Sequence, residues 1–455
     1  MFLEKIKSEG IAHLSYMLGS GTSAAVIDPR RDIEVYLEIA RREGVNITHI
    51  FETHRNEDYV IGSIALAQAA GADIYHGHAL NFAYGNPASA GDTFEIGDLK
   101  LEILETPGHT FESISIAVYD PAFGDKAVGV FTGDALFIGD VGRTDFFPDQ
   151  AERVAGLLHD SIFKQLLPLG DQVILYPAHG AGSVCGSGMA SREFSTLGYE
   201  RMYNPVLQKT NRDAFIRYKT NERHTTPPYF KMMERYNQQG PPQVQAHRLL
   251  TALTPDAFES KQQQGMQVVD TRSPESICGT YMPDSLAIPL KMLPAFAGWF
   301  LSYDRPIGLI LQSDDEIDTA VRHLYRLGYD SIGGYLSGGI AKWEMKGKEY
   351  QAITALYAGD LMEMVENNAD VTLLDVRSPD EFETGHLPNA LNIYVGHLPS
   401  HLHEISGDWP VVTYCGSGRR AVVAASILKK NGFNDVQVCL GSIKACKEIG
   451  CQLAS

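Results

Sequence analysis

Cys415 opens the run Cys415-Gly416-Ser417-Gly418-Arg419-Arg420, between a short, mostly apolar stretch, Pro410 to Tyr414, and a helical segment, Ala421 to Lys430. A glycine-containing loop between a parallel strand and a helix points several backbone N–H groups at one spot. The helix N-terminus adds partial positive charge, and Arg419 and Arg420 add whole charges. Each effect favours thiolate over thiol. Cys415 is therefore expected to have a lowered pKa and to act as a nucleophile, with Gly416, Ser417 and Gly418 as the cradle.

The elements that must hold this loop occur twice. Val269-Asp270-Thr271-Arg272-Ser273-Pro274 matches Leu374-Asp375-Val376-Arg377-Ser378-Pro379, about 105 residues on. Tyr281-Met282-Pro283-Asp284 matches His386-Leu387-Pro388-Asn389, and Leu336-Ser337-Gly338-Gly339-Ile340 matches Leu440-Gly441-Ser442-Ile443. Copies this long are domains rather than solenoid repeats. Short apolar strands alternating with helical segments predict a parallel α/β sheet in each.

The second copy resembles a rhodanese, or sulfurtransferase, domain over nearly its whole length. The resemblance implies a Cys415 persulfide that hands sulfane sulfur to a nucleophile. The related cysteine phosphatases carry their arginine further along, where Ala421 stands here, so the smaller cradle suits sulfur rather than phosphate. Asp375 and Arg377 are expected to hold loop and sheet together. In the first copy Leu311 falls opposite Cys415, and Asp315 and Glu316 fall opposite the two arginines. That copy is expected to keep the fold without the chemistry, with Cys278 inert.

Ahead of the repeat lie four segments rich in metal-ligand types: Thr53-His54-Arg55-Asn56-Glu57-Asp58-Tyr59, Thr106-Pro107-Gly108-His109-Thr110, Phe131-Thr132-Gly133-Asp134 and Tyr176-Pro177-Ala178-His179-Gly180. The first is expected between a strand, Ile47 to Glu52, and a helix, Val60 to Ala70. Their order and contexts resemble the metal loops of the metallo-β-lactamase fold, whose first motif is His-x-His-x-Asp-His. Two histidines of that motif are Asn56 and Tyr59 here. The resemblance implies a binuclear set divided between His54, position 56 and His109 on one side and Asp58, position 59 and His179 on the other, bridged by Asp134. Each side has lost a ligand. His54, His109 and Asp134 still form a three-ligand set, and two histidines with one carboxylate is the facial triad of non-haem Fe(II) oxygenases.

This pattern is similar to that of the persulfide dioxygenases of this fold. The similarity implies a mononuclear Fe(II) site on His54, His109 and Asp134, and oxidation of a small-molecule persulfide to sulfite with O2. Asn56, Asp58, Tyr59 and His179 are expected to orient ligands or substrate. Arg143, in Gly139-Asp140-Val141-Gly142-Arg143-Thr144-Asp145, has a positioning role or a purely structural one. Cys185 is a candidate relay thiol. The order of blocks resembles fusions of such dioxygenases with sulfurtransferases, in which Cys415 persulfide would convert the sulfite to thiosulfate. Two alternatives stay open: a two-zinc thioester hydrolase, and a sulfur-carrier scaffold in which only the Cys415 loop is active.

The fold expected is α/β throughout. Residues 1–240 form a metallo-β-lactamase αββα sandwich, 241–352 an inactive rhodanese-like domain and 353–455 a catalytic one. Residues 191 to 237 are expected to be largely helical, and Gln238 to Pro242 to be a linker. The 455 residues, 44% hydrophobic and 21% charged, have the composition of a globular protein. A net charge of −18 argues against nucleic acid or an anionic membrane as partner. The chain has no apolar run of about 18 residues and no secretory signal at its start. Six cysteines without Cys-x-x-Cys form no disulfide framework, which predicts a reducing cytoplasm. The family resemblance implies a homo-oligomer.

Overall fold

The computed structural model describes residues 1–183, 186, 188–242 and 250–454. Cys185 lies outside them. The chain divides into two compact units, Met1–Ala246 with Tyr325–Gly328, and His247–Leu324 with Tyr329–Ser455.

The first unit has two sheets. One runs, in spatial order, Phe2–Ser8, His13–Ser20, Ser23–Ile27, Asn46–Glu52, Asp73–Gly77 and Asn86–Ala88. The other runs Ile174–Pro177, Ala127–Gly133, Ile114–Tyr119, Leu99–Glu105 and Thr93–Ile96. Alternation explains how they stack: Leu99, Leu101 and Ile103 are buried at every second position and meet Tyr16, Leu18, Ile27 and Phe51 of the facing sheet. On the outer face of the first sheet, Val26, Ile47 and Ile50 pack on Tyr36 and Ile39 of the helix Glu34–Glu43 and Leu66 of the helix Ser63–Ala70. Leu158 and Phe215, from the helices Ala151–Asp160 and Arg212–Thr220, cover the second sheet. The result is the expected αββα sandwich.

Three helices, Leu197–Tyr203, Arg212–Thr220 and Phe230–Gln239, occupy about half of the segment read as largely helical, with loops between them. Two details differ from the sequence reading. The helix expected from Val60 begins only at Ser63, because Ile61 first pairs with Arg30 in an isolated bridge. Gln238 and Gln239 end a helix rather than opening a linker, and the Gln238 carbonyl accepts from the Ala83 N–H.

The second unit contains two parallel sheets of the same strand order: Ala252–Leu253, Ile332–Leu336, Ile307–Ile310, Gln267–Asp270, Leu286–Ala287, and then Thr354–Leu356, Val436–Cys439, Val411–Tyr414, Thr372–Asp375, Leu391–Asn392. The repeat in sequence is thus a repeat in topology. Asp270 pairs with Ile310 as Asp375 pairs with Tyr414, which places Leu311 at the position of Cys415. Within this unit the Ala287 N–H donates to Ser426 Oγ at 3.0 Å, so the two copies pack on each other. Among the described residues, no helix is long and apolar enough to cross a membrane.

Candidate metal centre and thiol loop

The four segments singled out in the first unit meet where strands end. His54 follows the strand Asn46–Glu52, His109 lies in the turn before Ile114–Tyr119, Asp134 follows Ala127–Gly133, and His179 follows Ile174–Pro177. The approach of the two sheet ends is close at Gly133, with φ at 52°, where a Cβ would stand 2.6 Å from Thr53 Oγ1. Only glycine fits there.

His54 Nε2, His109 Nε2 and one carboxylate oxygen of Asp134 lie within 4.8 Å of one another. His54 Nε2 and His109 Nε2 stand 3.6 and 3.5 Å from Asp134 Oδ2. All three atoms are buried and none has a hydrogen-bond partner. Each histidine is fixed from behind. The Asp28 carboxylate accepts from the Thr53 N–H and hydroxyl, both at 2.7 Å, leaving Thr53 Oγ1, 2.9 Å from His54 Nδ1, to accept from that ring. His109 Nδ1 lies 3.0 Å from the Arg143 carbonyl, which can only accept. Both rings therefore carry a proton on Nδ1 and turn Nε2 inward, the orientation seen in metal-binding histidines. Burial pushes His54 down to about 3, keeping it neutral. Against its own burial, Asp134 is held well below the usual carboxylate range by His179, His54 and His109. Donor atoms about 2.1 Å from a shared ion stand about 3.0–3.4 Å apart at right or tetrahedral angles. The observed separations are close to that, so the residues fit a divalent metal.

The rest of the binuclear set has another arrangement. His179 Nδ1 lies 2.7 Å from Asp134 Oδ1, and His179 Nε2 lies 3.0 Å from Asp58 Oδ2. The two carboxylates outweigh the burial of His179 and raise its pKa. Tyr59 lies against His13, ring centroids 4.0 Å apart and planes tilted by 33°, and Asn56 Nδ2 donates to the His54 carbonyl at 3.2 Å. Arg143 is taken up structurally: it donates to both Asp145 oxygens at 2.7 and 2.6 Å and to Thr226 Oγ1, while its carbonyl holds His109.

The roles of several residues here escaped the sequence reading. Asn237, read there only as the end of a helical segment, clamps the metal loop by donating to the Asn56 and Tyr59 carbonyls and accepting from the Ile61 N–H. Buried Glu200 accepts from the Gly139 N–H at 2.8 Å, tying the loop after Asp134 to the helix Leu197–Tyr203. Glu57 is fully buried beside His109. Only its position inside the motif marked it.

In the second unit Cys415 follows the strand Val411–Tyr414, with the helix Arg419–Lys430 starting four residues on. The thiol is buried, and Gly418 donates its N–H to Sγ at 3.1 Å. Gly418 has φ at 87°, and a Cβ there would stand 2.1 Å from the Leu440 carbonyl oxygen, so the turn requires glycine. Ser442, another residue not foreseen, accepts from the Cys415 N–H at 3.0 Å and donates to the Cys439 carbonyl. Ser417 and Arg419 are exposed. Arg420 is turned to Glu381 as a paired charge. Asp375 and Arg377 are joined within 3.0 Å, and Arg377 also holds the Gly385 carbonyl; Asp270, Arg272 and the Thr280 carbonyl repeat this in the first copy. The clamp therefore serves the fold. Burial pushes Cys278 up to about 11, as befits an inert thiol.

The metallo-beta-lactamase superfamily profile matches residues 9–179, and the rhodanese-like domain profile matches residues 357–449. A hydroxyacylglutathione hydrolase of Haemophilus influenzae is 28% identical over 207 residues, covering 41% of this chain and 87% of that protein. A mitochondrial persulfide dioxygenase of Mus musculus is 27% identical over 213 residues, covering 42% of this chain and 70% of that protein. The crystal structure of a metallo-beta-lactamase from Staphylococcus aureus is 31% identical, with a TM-score of 0.66, covering 74% of this chain and 99% of that one. With this match and the fold described, the chain belongs to the metallo-beta-lactamase superfamily and carries a rhodanese-like domain at its C-terminal end.

Proposed function

We propose that the protein is a persulfide dioxygenase joined to a sulfurtransferase. The observation that carries this reading is the three-ligand cluster of His54, His109 and Asp134, beside a second position where Tyr59 offers no histidine. Iron bound there would supply the redox chemistry by which O2 oxidises a sulfur anion. The chain does the rest. Thr53 and the Arg143 carbonyl aim the two rings, His179 holds Asp134, and the surrounding burial keeps bulk water from the donor atoms. The overall change is RSSH + O2 + H2O giving RSH, sulfite and two protons. The sulfane sulfur loses four electrons and O2 gains them.

The second step belongs to Cys415. A second persulfide molecule would first pass its outer sulfur to the Cys415 thiolate, leaving as its own thiolate. Sulfite then attacks the outer sulfur of the Cys415 persulfide, the S–S bond breaks, thiosulfate leaves and the electron pair of that bond returns to the Cys415 thiolate. Gly418 N–H, already directed at Sγ, stabilises that negative charge. Residues 241–352 are an inactive rhodanese-like copy in this scheme, since Leu311 offers no thiol. The likeness to a hydroxyacylglutathione hydrolase favours a second reading, thioester hydrolysis, which needs metals on both sides of Asp134.

The experiment is O2 uptake by Fe(II)-loaded protein given a small-molecule persulfide, with metal-free and His109→Ala proteins as controls. Iron-dependent uptake that disappears in His109→Ala is expected. In Cys415→Ser, O2 uptake persists and sulfite replaces thiosulfate. Two bound zinc ions per chain with thioester cleavage and no O2 uptake would establish the hydrolase instead.

A further inference from the structure

The carboxylate of Glu57 is unexplained by the three-ligand cluster. Its side chain is fully buried, and neither oxygen has a hydrogen-bond partner. Oε2 stands 3.4 Å from His109 Nε2, the same nitrogen that stands 3.5 Å from Asp134 Oδ2. Oε1 lies 3.6 Å from Arg55 Nη2, and that arginine also reaches Glu234 at 3.4 Å. The Arg143 carbonyl accepts the hydrogen bond of His109 Nδ1–H, so Nε2 is the nitrogen turned toward the two carboxylates. Glu57 Oε2 and Asp134 Oδ2 thus flank one buried ring nitrogen, and none of the three atoms has a hydrogen-bond partner. Two buried carboxylates so placed call for a compensating cation. The 3.4 Å separation from His109 is what two donor atoms about 2.1 Å from one ion would show. Glu57 lies outside the group whose ligand atoms all stand within 4.8 Å of one another, so it joins His54 and Asp134 by turning toward them.

We propose that Glu57 is a further ligand of the divalent metal, so that the chain compensates the histidine missing at Asn56 with the carboxylate one residue on. The proposal rests on reading His54, His109 and Asp134 as a metal site. It changes the character of that site: two histidines and two carboxylates neutralise a divalent cation, whereas three ligands leave it a net positive charge. A harder, more oxygen-rich donor set also disfavours soft metals relative to a histidine-rich one.

The test compares wild-type and Glu57→Gln proteins, each stripped of metal and titrated with Fe(II) under anaerobic conditions against a competing chelator. Glutamine keeps the shape and removes the charge. Fe(II) affinity is expected to fall by about 10- to 100-fold or more, and the visible absorption of Co(II) at the site is expected to change. The metal-free variant is expected to melt no lower than metal-free wild type, since a buried charge has been removed. A structure of the metal-loaded wild-type protein gives a readout independent of the variant: a Glu57 oxygen about 2.0–2.2 Å from the ion is expected. Unchanged affinity and Co(II) spectrum in Glu57→Gln, or a Glu57 oxygen beyond bonding distance in the loaded wild type, would overturn the proposal while leaving the three-ligand site standing. Failure of the wild type to bind either metal would overturn both.

Discussion

Arg420 donates from both terminal nitrogens to the carboxylate of Glu381, at 2.5 and 2.7 Å. The two residues lie 39 positions apart, one on the helix that carries the thiol loop and the other on the helix Pro379–Glu383. The pair divides the positive charge expected around Cys415. Arg420 is largely compensated, and Arg419 is left exposed.

Glu381→Gln therefore leaves Arg420 uncompensated close to Cys415. A nearby uncompensated cation attracts a thiolate. Alkylation of Cys415 at fixed neutral pH, followed by mass spectrometry of its peptide, is expected to accelerate roughly threefold to tenfold. A slower rate would mean that Glu381 acts by shaping the loop.

The same pair has a pH signature. Burial works to raise the Glu381 pKa, but the Arg420 guanidinium outweighs it and holds the carboxyl down at about 2, against an ordinary 4.5. A lowered folded-state pKa gives stability that is present above 4.5 and lost as pH falls through about 2. The difference in unfolding midpoint between wild type and Glu381→Gln is expected to be constant at neutral pH, to narrow below 4.5 and to vanish near 2. A difference that grew on acidification would contradict this sign.

The Asp–Arg clamps are expected to matter equally in both copies. Removing one partner of a buried ion pair costs about 3–5 kcal/mol. Asp270→Ala and Asp375→Ala should each lose stability of that order in denaturant unfolding, although only one lies beside a thiol. A large effect confined to Asp375→Ala would assign that clamp to the chemistry.

His179→Gln removes the imidazolium that holds Asp134 Oδ1. Loss of a residue that orients a ligand typically weakens metal binding about 10- to 100-fold. Chelator competition on the folded variant should show this, and unchanged affinity would mean that Asp134 is positioned by the backbone alone.

Much of this was legible in the chain because it is locally encoded. Ser273-Pro274 and Ser378-Pro379 each place a capping serine before a proline at the start of a helix, so both copies announce themselves. His54, His109 and Asp134 sit at strand ends, where short motifs fix the backbone. What escaped depends on contacts between distant segments. Asn237 reaches the metal loop across 181 residues, and Ser442 reaches Cys415 across 27. His13 lies against Tyr59, and an isolated bridge pairs it with His179. No spacing rule reveals such pairings, since they follow from how the sheets stack.

The two copies in the second unit differ at one helix end in an instructive way. The first copy begins its turn with Asp314, Asp315 and Glu316, the sign of charge that the aligned peptide dipoles favour there. The second copy begins with Arg419 and Arg420, the sign they oppose. Each such charge is worth about 0.3–1 kcal/mol, so the first copy, with Leu311 at the position of Cys415, sits nearer the fold's own electrostatic preference. Under the proposed sulfur transfer, the first copy is an internal reference for the electrostatic cost that the second carries around its thiol.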